Sequence, residues 1–255
     1  MKADQIQQRR EAMLAMLRAK KSVKIREFVT QFKVSDETIR KDLEILSQQG
    51  LVIKQFGKAV LVPNIPLTPV AQRTDIHQAD KEKIAATTFD LLPKRPLTIG
   101  LDQGSTVSTF ARLLSTVPDL TIITSSLLSL IALQSTTNTL YSTGGRYNVS
   151  DMSFQGTSPQ ATYAQIQLDY CFLGSSGVAD RAGFCSSSFG DAEMKRQLMK
   201  NSTNKVLLID KSKFQVSSLV QVGTWDQVDH VITNLDPDSK DYQKISQLTH
   251  VIAVR

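Results

Sequence analysis

The stretch from Val34 to Gly50, VSDETIRKDLEILSQQG, constrains this chain more than any other. Ser35 is placed to accept a backbone N–H as a helix cap, Asp36 and Glu37 fall in the first turn where the helix dipole favours acids, and Gly50 supplies a stop. That spacing predicts a helix of about four turns. Ile39, Leu43 and Leu46 recur at i, i+4 and i+7 and predict one buried stripe, which turns Thr38, Arg40, Lys41 and Ser47 outward. Thr and Arg near a helix N-terminus have the reach and the donors to meet base edges or phosphates in a major groove. On these residues alone, a solvated helix face explains them equally well.

The neighbouring residues decide between the two. Lys24 to Phe32 predicts a second short helix with Ile25, Phe28, Val29 and Phe32 apolar. Only the Lys33-Val34 turn separates it from the first, so the two meet at a steep angle in helix-turn-helix fashion. After Gly50, the β-prone runs LVIKQF and AVLV flank Gly57-Lys58 and predict a hairpin, the wing of a winged helix-turn-helix. Ile6 to Ala19 predicts a preceding helix with Ile6, Met13, Leu14 and Leu17 on one side and Arg9, Arg10 and Arg18 elsewhere, packed across the pair and lending phosphate contacts.

The run from Arg9 to Val62 resembles the DNA-binding domain of the DeoR family of bacterial transcriptional regulators. The family signature V-S-x-x-T-I-R-x-D-L stands here as Val34, Ser35, Thr38, Ile39, Arg40, Asp42 and Leu43. Where the family wing reads Gly-Gly-Ala, this chain has Gly57-Lys58-Ala59, which places a charge at the wing tip. The resemblance implies double-stranded operator DNA as a partner, and the expected contact residues are Lys24, Ser35, Glu37, Thr38, Arg40, Lys41, Lys54 and Lys58.

Charge is distributed unevenly. Residues 1–62 carry 13 Lys and Arg against 7 Asp and Glu, whereas residues 63–255 carry 17 of each. A basic head on a neutral bulk is the electrostatic footprint of a nucleic-acid module joined to another domain. The 41% apolar content is that of a folded chain, and runs such as LLSLIAL stop well short of the roughly 18 residues of a membrane span, so a cytoplasmic protein without membrane contact is expected. Cys171 and Cys185 make neither a disulfide framework nor a zinc site. Pro63, Asn64, Pro66 and Pro69 mark a boundary, giving a head at 1–62, a linker at 63–72 and a larger domain at 73–255.

Beyond that boundary, apolar β-runs alternate with helical patterns. LTIGLD (97–102) precedes Gln103-Gly104-Ser105-Thr106 and the helical VSTFARLL, and TIIT (121–124) precedes a helical Leu127 to Leu133. Further runs occur at Leu140-Tyr141, Tyr170 to Leu173, Val206 to Ile209, Val231-Ile232 and Val251 to Val254. This alternation predicts an α/β domain with a largely parallel sheet covered on both faces. A ligand then belongs outside the carboxyl ends of the strands, and Asp102 to Thr106 occupies such a position. Gly104 admits close backbone approach, Ser105 and Thr106 offer donors, and the following helix points its positive end there. A G-S-T triplet alone serves an ordinary capped loop as well as a phosphate.

This second region resembles the DeoR-type sugar-phosphate sensor domain, a fold similar to ribose-5-phosphate isomerase. The family's D-x-G-[ST]-T is Asp102, Gly104, Ser105 and Thr106, its T-N-S is Thr124-Ser125-Ser126, and its Gly-Gly is Gly144-Gly145. Its F-x-G is Phe172 to Gly174 and its D-x-S-K-F is Asp210 to Phe214, while Arg73 and Lys81 stand where a basic residue and a lysine follow the linker. The resemblance implies a phosphorylated sugar bound by Arg73, Lys81, Asp102, Gly104, Ser105, Thr106, Gly144, Gly145, Arg146, Asp210 and Lys213. For Arg146, a solvated loop charge is the competing reading. His77, His230 and His250 show no nucleophile spacing and Trp225 reads as a packing residue.

The reading that follows is a transcription regulator, a repressor of a sugar-catabolism operon released by a phosphorylated sugar, acting as a homo-oligomer (dimer or tetramer) without cofactor, metal or catalytic residue. The alternatives are an activator of the same family and a phosphosugar isomerase-like enzyme with an accessory DNA-binding domain, in which Asp102, Asp210 and Lys213 act as acid, base and electrophile.

Overall fold

The computed structural model describes residues 3–20, 22–48, 52–55, 57–61 and 76–254. Internal contacts divide the chain into two units, Met1–Thr68 and Pro69–Arg255. The expected linker at 63–72, the helix stop at Gly50 and the ligand candidate Arg73 lie outside the described residues.

The first unit runs α1 (Ala3–Lys20), β1 (Ser22–Lys24), α2 (Ile25–Phe32), α3 (Asp36–Gln48), β2 (Val52–Gln55) and β3 (Lys58–Leu61). Local signals set each boundary. The Lys24 N–H donates to Glu27 Oε1 at 3.3 Å at the start of α2. Lys33 ends it in the left-handed region at φ 52°, its N–H donating to Val29 O at 2.9 Å, and so turns the chain into α3. Ser35 Oγ accepts the Thr38 N–H at 3.2 Å, the expected cap. Ile39, Leu43 and Leu46 are buried as predicted, against Met13, Leu17 and Phe28. Gly57 takes φ 69° in the wing turn, so Lys58 falls in the strand beyond it, paired with Gln55, and needs no left-handed conformation. Strand β1 was not legible in the sequence. It pairs antiparallel with β3 through Val23 and Ala59, giving the order β1-β3-β2.

The second unit continues with α4 (Gln78–Asp90), β4 (Leu97–Leu101), α5 (Ser105–Leu114), β5 (Leu120–Thr124), α6 (Leu127–Ala132), β6 (Thr139–Ser142), β7 (Arg146–Asn148), β8 (Ser153–Gln155) and α7 (Thr157–Ala164). It ends with β9 (Leu168–Leu173), β10 (Gly183–Ser186), α8 (Phe189–Lys200), β11 (Ser202–Ile209), β12 (Val220–Thr224), β13 (His230–Thr233), α9 (Lys240–Ser246) and β14 (His250–Ala253). Seven strands form one parallel sheet in the order β14-β13-β11-β9-β4-β5-β6. Side-chain alternation along β11 shows why it must be covered twice: Leu207 and Ile209 join one core with Ala192 and Leu198 of α8, while Val206 and Leu208 join the other with Ile84 of α4 and Phe110 of α5. The α/β expectation holds.

At Gly100 a Cβ would lie 2.5 Å from Leu198 Cδ1 and 2.7 Å from Leu168 Cδ1. The absent side chain lets α8 lie close on β4, and this places the polar end of α8 beside the carboxyl end of that strand. Trp225 is buried and stacks on Phe214 with ring centroids 6.3 Å apart. His230 and His250, scattered in sequence, meet in register on neighbouring strands with their Nδ1 atoms 3.0 Å apart. Among the described residues, no helix is long and apolar enough to cross a membrane.

Candidate functional site

Strand order fixes where a site can form. From β4 the chain steps to β5 and β6 on one side, then returns to place β9 on the other side of β4. The crevice at the carboxyl ends of β4 and β9 is therefore the topological switch point of an open parallel sheet. Asp102 spans it. Its N–H donates to Phe172 O at 3.0 Å, and its Oδ2 accepts the Gly174 N–H at 2.9 Å.

A cleft opens there, with Gly104, Ser105 and Thr106 on one wall and Asp210 and Lys213 on another. Gly104 takes φ 136°, a conformation L side chains rarely adopt, and nothing lies within 4 Å of where a Cβ would stand. The glycine lets the backbone turn straight from strand into α5, whose first-turn N–H groups have no intrahelical acceptors and carry the positive end of the dipole. The Ser108 N–H and hydroxyl both donate to Gly104 O at 2.9 Å, which fixes the turn from behind.

Beneath this turn is a buried ionic cluster. Lys195 Nζ pairs with Asp102 Oδ2 and stands 3.2 Å from Asp191 Oδ1. Gln103 Nε2 donates to Asp191 Oδ1 at 2.5 Å, and the Ser186 hydroxyl donates to Asp191 Oδ2. Burial pushes the Asp102 carboxyl up to about 6, with Lys195 pulling against that rise and the Asp191 charge adding to it. For Lys195, burial opposes the charge, but the two carboxylates outweigh it and hold the ammonium above its ordinary range.

The second wall is built by the turn after β11. Asp210 accepts the Ser212 N–H at 2.9 Å and also the Ser212 hydroxyl. The Val178 N–H donates to Lys213 O at 2.9 Å, and the Phe214–Trp225 stack anchors the far side. Burial alone would raise the Asp210 carboxyl; the Lys213 charge, the Ser212 bonds and the His77 charge outweigh it and hold it below the usual carboxylate range.

Gly104, Ser105, Thr106, Asp210 and Lys213 thus line one cleft from distant parts of the sequence, while Asp102 is not among the lining residues and pairs with Lys195, which is. Other sequence candidates do not line it. Lys81 is 3% exposed, its ammonium donates to Ile76 O at 2.6 Å, and it is not among the residues lining the cleft. Gly144, Gly145 and Arg146 do not line it either; they lead into the β7–β8 hairpin, where a Cβ on Gly145 would lie 2.8 Å from Pro159 Cδ. What reaches the cleft from this hairpin is Asp151, whose Oδ2 accepts from Gln155 Nε2 at 3.0 Å. Sequence reasoning passed over Asp151, Lys195 and Asp191. Only the i,i+4 spacing of Asp191 and Lys195 on an amphipathic helix could have pointed to the last two.

On the first unit, Lys24, Ser35, Glu37, Arg40, Lys41, Lys54 and Lys58 are exposed and Thr38 is half-buried. Several hold partners: Arg40 with Asp36, Lys41 with Glu37 at 2.8 Å, and Lys54 with Glu44. Exposed pairs of this kind are worth little and yield readily to a phosphate. Arg9 and Arg10 of α1, expected to lend phosphate contacts, also bind within the unit. Their Nε atoms hold the two oxygens of Asp42 at 2.7 and 2.8 Å, so at that atom each is committed to the interior of the unit.

Comparison with known proteins agrees with this division. The family described as "DeoR-like helix-turn-helix domain" matches residues 9–64, and the "DeoR C terminal sensor domain" matches residues 76–235. The glycerol-3-phosphate regulon repressor of Escherichia coli (strain K12) is 28% identical over 238 residues, covering 90% of this chain and 91% of that protein. The L-fucose operon activator of Haemophilus influenzae is 29% identical over 228 residues, covering 89% and 91%. Among solved structures, ribose 5-phosphate isomerase A from Methanocaldococcus jannaschii aligns over 52% of each chain at 19% identity, with a TM-score of 0.39. The matched domains span most of the sequence, and the chain belongs to the DeoR family of DNA-binding transcription regulators.

Proposed function

We propose that this regulator represses a sugar-catabolism operon in the cytoplasm, binds its operator as a homo-oligomer, and leaves it when a phosphorylated sugar fills the cleft of the second unit. The observation that carries this reading is the meeting of the α5 N-terminus with Lys213 and Asp210 across one cleft. A phosphate with nearly two negative charges suits first-turn N–H groups and an ammonium. Asp210 then accepts from sugar hydroxyls. The names of the two relatives, one a repressor for glycerol-3-phosphate and one an activator for L-fucose, support the sugar and sugar-phosphate class; repression is taken from the first.

Non-enzymatic action is part of the same proposal. Asp102 is tied to Lys195 and to the Gly174 N–H, a position suited to holding the cleft's floor. The test is a thermal-shift screen of the full chain against pentose and hexose phosphates, with product formation followed by NMR. A ligand that binds the native state raises the melting point. Stabilisation without turnover is the expected result, and turnover would return the isomerase reading.

A further inference from the structure

The outward face of α3 carries Asp36, Glu37 and Glu44 against Arg40 and Lys41, so the helix that reads DNA is not itself basic. Phosphate attraction alone does not fix how such a face is turned in a groove. The orientation of α3 must come from the unit that carries it. Its apolar stripe, Ile39, Leu43 and Leu46, supplies adhesion, but apolar contact is non-directional and leaves the roll of a helix weakly set. Charge-assisted hydrogen bonds are directional.

Asp42 supplies them. It lies on α3 next to Leu43, is 2% exposed, and receives Arg9 Nε on Oδ2 and Arg10 Nε on Oδ1, one guanidinium on each oxygen. The partners come from α1, 33 and 32 residues earlier. With both oxygens taken from a separate helix, the carboxylate has one position, and the roll of α3 about its axis follows from it. We propose that Asp42 is a positioning residue for DNA reading: through its double clamp to α1 it sets how α3 presents Thr38, Arg40 and Lys41, and it thereby sets specificity while leaving phosphate-driven affinity to other residues.

The test uses the full chain and two duplexes of equal length, one selected by the parent from a random pool and one of scrambled sequence. Asp42→Asn is expected to weaken the selected duplex on the order of ten-fold or more while the scrambled duplex, held by phosphate contacts, stays within about three-fold. Circular dichroism and thermal melting establish that the variant is folded at the assay temperature. Should Asp42→Asn not fold, Arg10→Gln takes its place, because Arg10 is the more exposed partner and Arg9 keeps one oxygen held. Random-pool selection with Arg10→Gln is expected to return a broader set of sequences than the parent. Equal losses on both duplexes, an unchanged affinity for the selected one, or an unchanged consensus from the selection would overturn the proposal.

Discussion

Lys195 and Asp102 stand 93 positions apart in sequence and form an ion pair in which both side chains are almost wholly buried. Asp191 makes it a triad with one cation between two carboxylates. The pair fastens α8 to the end of β4 and so holds the floor of the cleft. Removing the cation leaves two buried acids side by side, which is far worse than having neither.

Lys195→Met is therefore expected to destabilise the second unit by about 3–5 kcal/mol, the usual cost of breaking a buried pair from one side. Urea unfolding of parent and variant measures it. A loss below 1 kcal/mol would mean that the triad relaxes into water at little cost.

The same triad predicts a pH dependence. The folded Asp102 carboxyl titrates near 6, above its ordinary 3.8, so between those values the native protein binds more protons than the unfolded chain. Stability from this group is fully present below about 4 and is lost as pH rises through about 6. Asp210, held low, acts in the opposite sense and gives up its contribution only as pH falls below the usual carboxylate range. Unfolding free energies of the parent, referenced to Asp102→Asn, should decline from pH 4 to pH 6 and level off above 7; a rise across that window would contradict the assignment.

On the DNA side, Arg40→Ala should cost about 1–3 kcal/mol on the operator if its side chain leaves Asp36 to meet a base. Lys58→Ala, at the wing, should weaken all duplexes alike and flatten the salt dependence. Gel shifts at matched salt separate the two behaviours. An Arg40→Ala protein that binds operator like the parent would place the reading face elsewhere.

What the sequence made legible was whatever rests on local periodicity or on a contiguous motif. The stripe on α3, the cap at Ser35, the wing turn at Gly57 and the β4 to α5 turn at Gly104 are each written in a few adjacent residues. Strand β1 was hidden because three residues carry no period; it exists only because β3 offers it a free edge. Lys81 reads as a ligand cation from its place after the linker; in the structure it is buried and its ammonium donates to Ile76 O, a bond no local pattern announces. Lys195 is the converse. It is silent in sequence and central in space, since what brings it to Asp102 is the close approach at Gly100, a contact between residues nearly a hundred positions apart.

A fragment ending near Pro66 should fold by itself, since the first unit has its own core around Phe28, Ile39 and Leu43. If the full chain is the proposed homo-oligomer, the fragment should bind operator more weakly for want of its avidity, and it should ignore every sugar phosphate. Sugar-phosphate-sensitive binding by this fragment would place the sensor in the wrong unit.

The proposed effector cleft makes the sharpest demand, because affinity for a sugar phosphate does not by itself release DNA. The sugar phosphate must favour the state that holds operator poorly, and the operator must then weaken its binding by the same factor. Each lost charged hydrogen bond is worth roughly 1.5–3 kcal/mol, so Lys213→Ala should weaken the effector about ten-fold or more. Lys213 lies in the second unit, on the turn capped by Asp210, and the helix-turn-helix domain lies in the first. The variant should therefore bind operator like the parent and hold it at sugar-phosphate concentrations that free the parent. Titrating the sugar phosphate found by thermal shift into operator complexes of both proteins tests this. Release at the same concentration would mean that the effector does not meet Lys213 and that the proposed cleft is not its site.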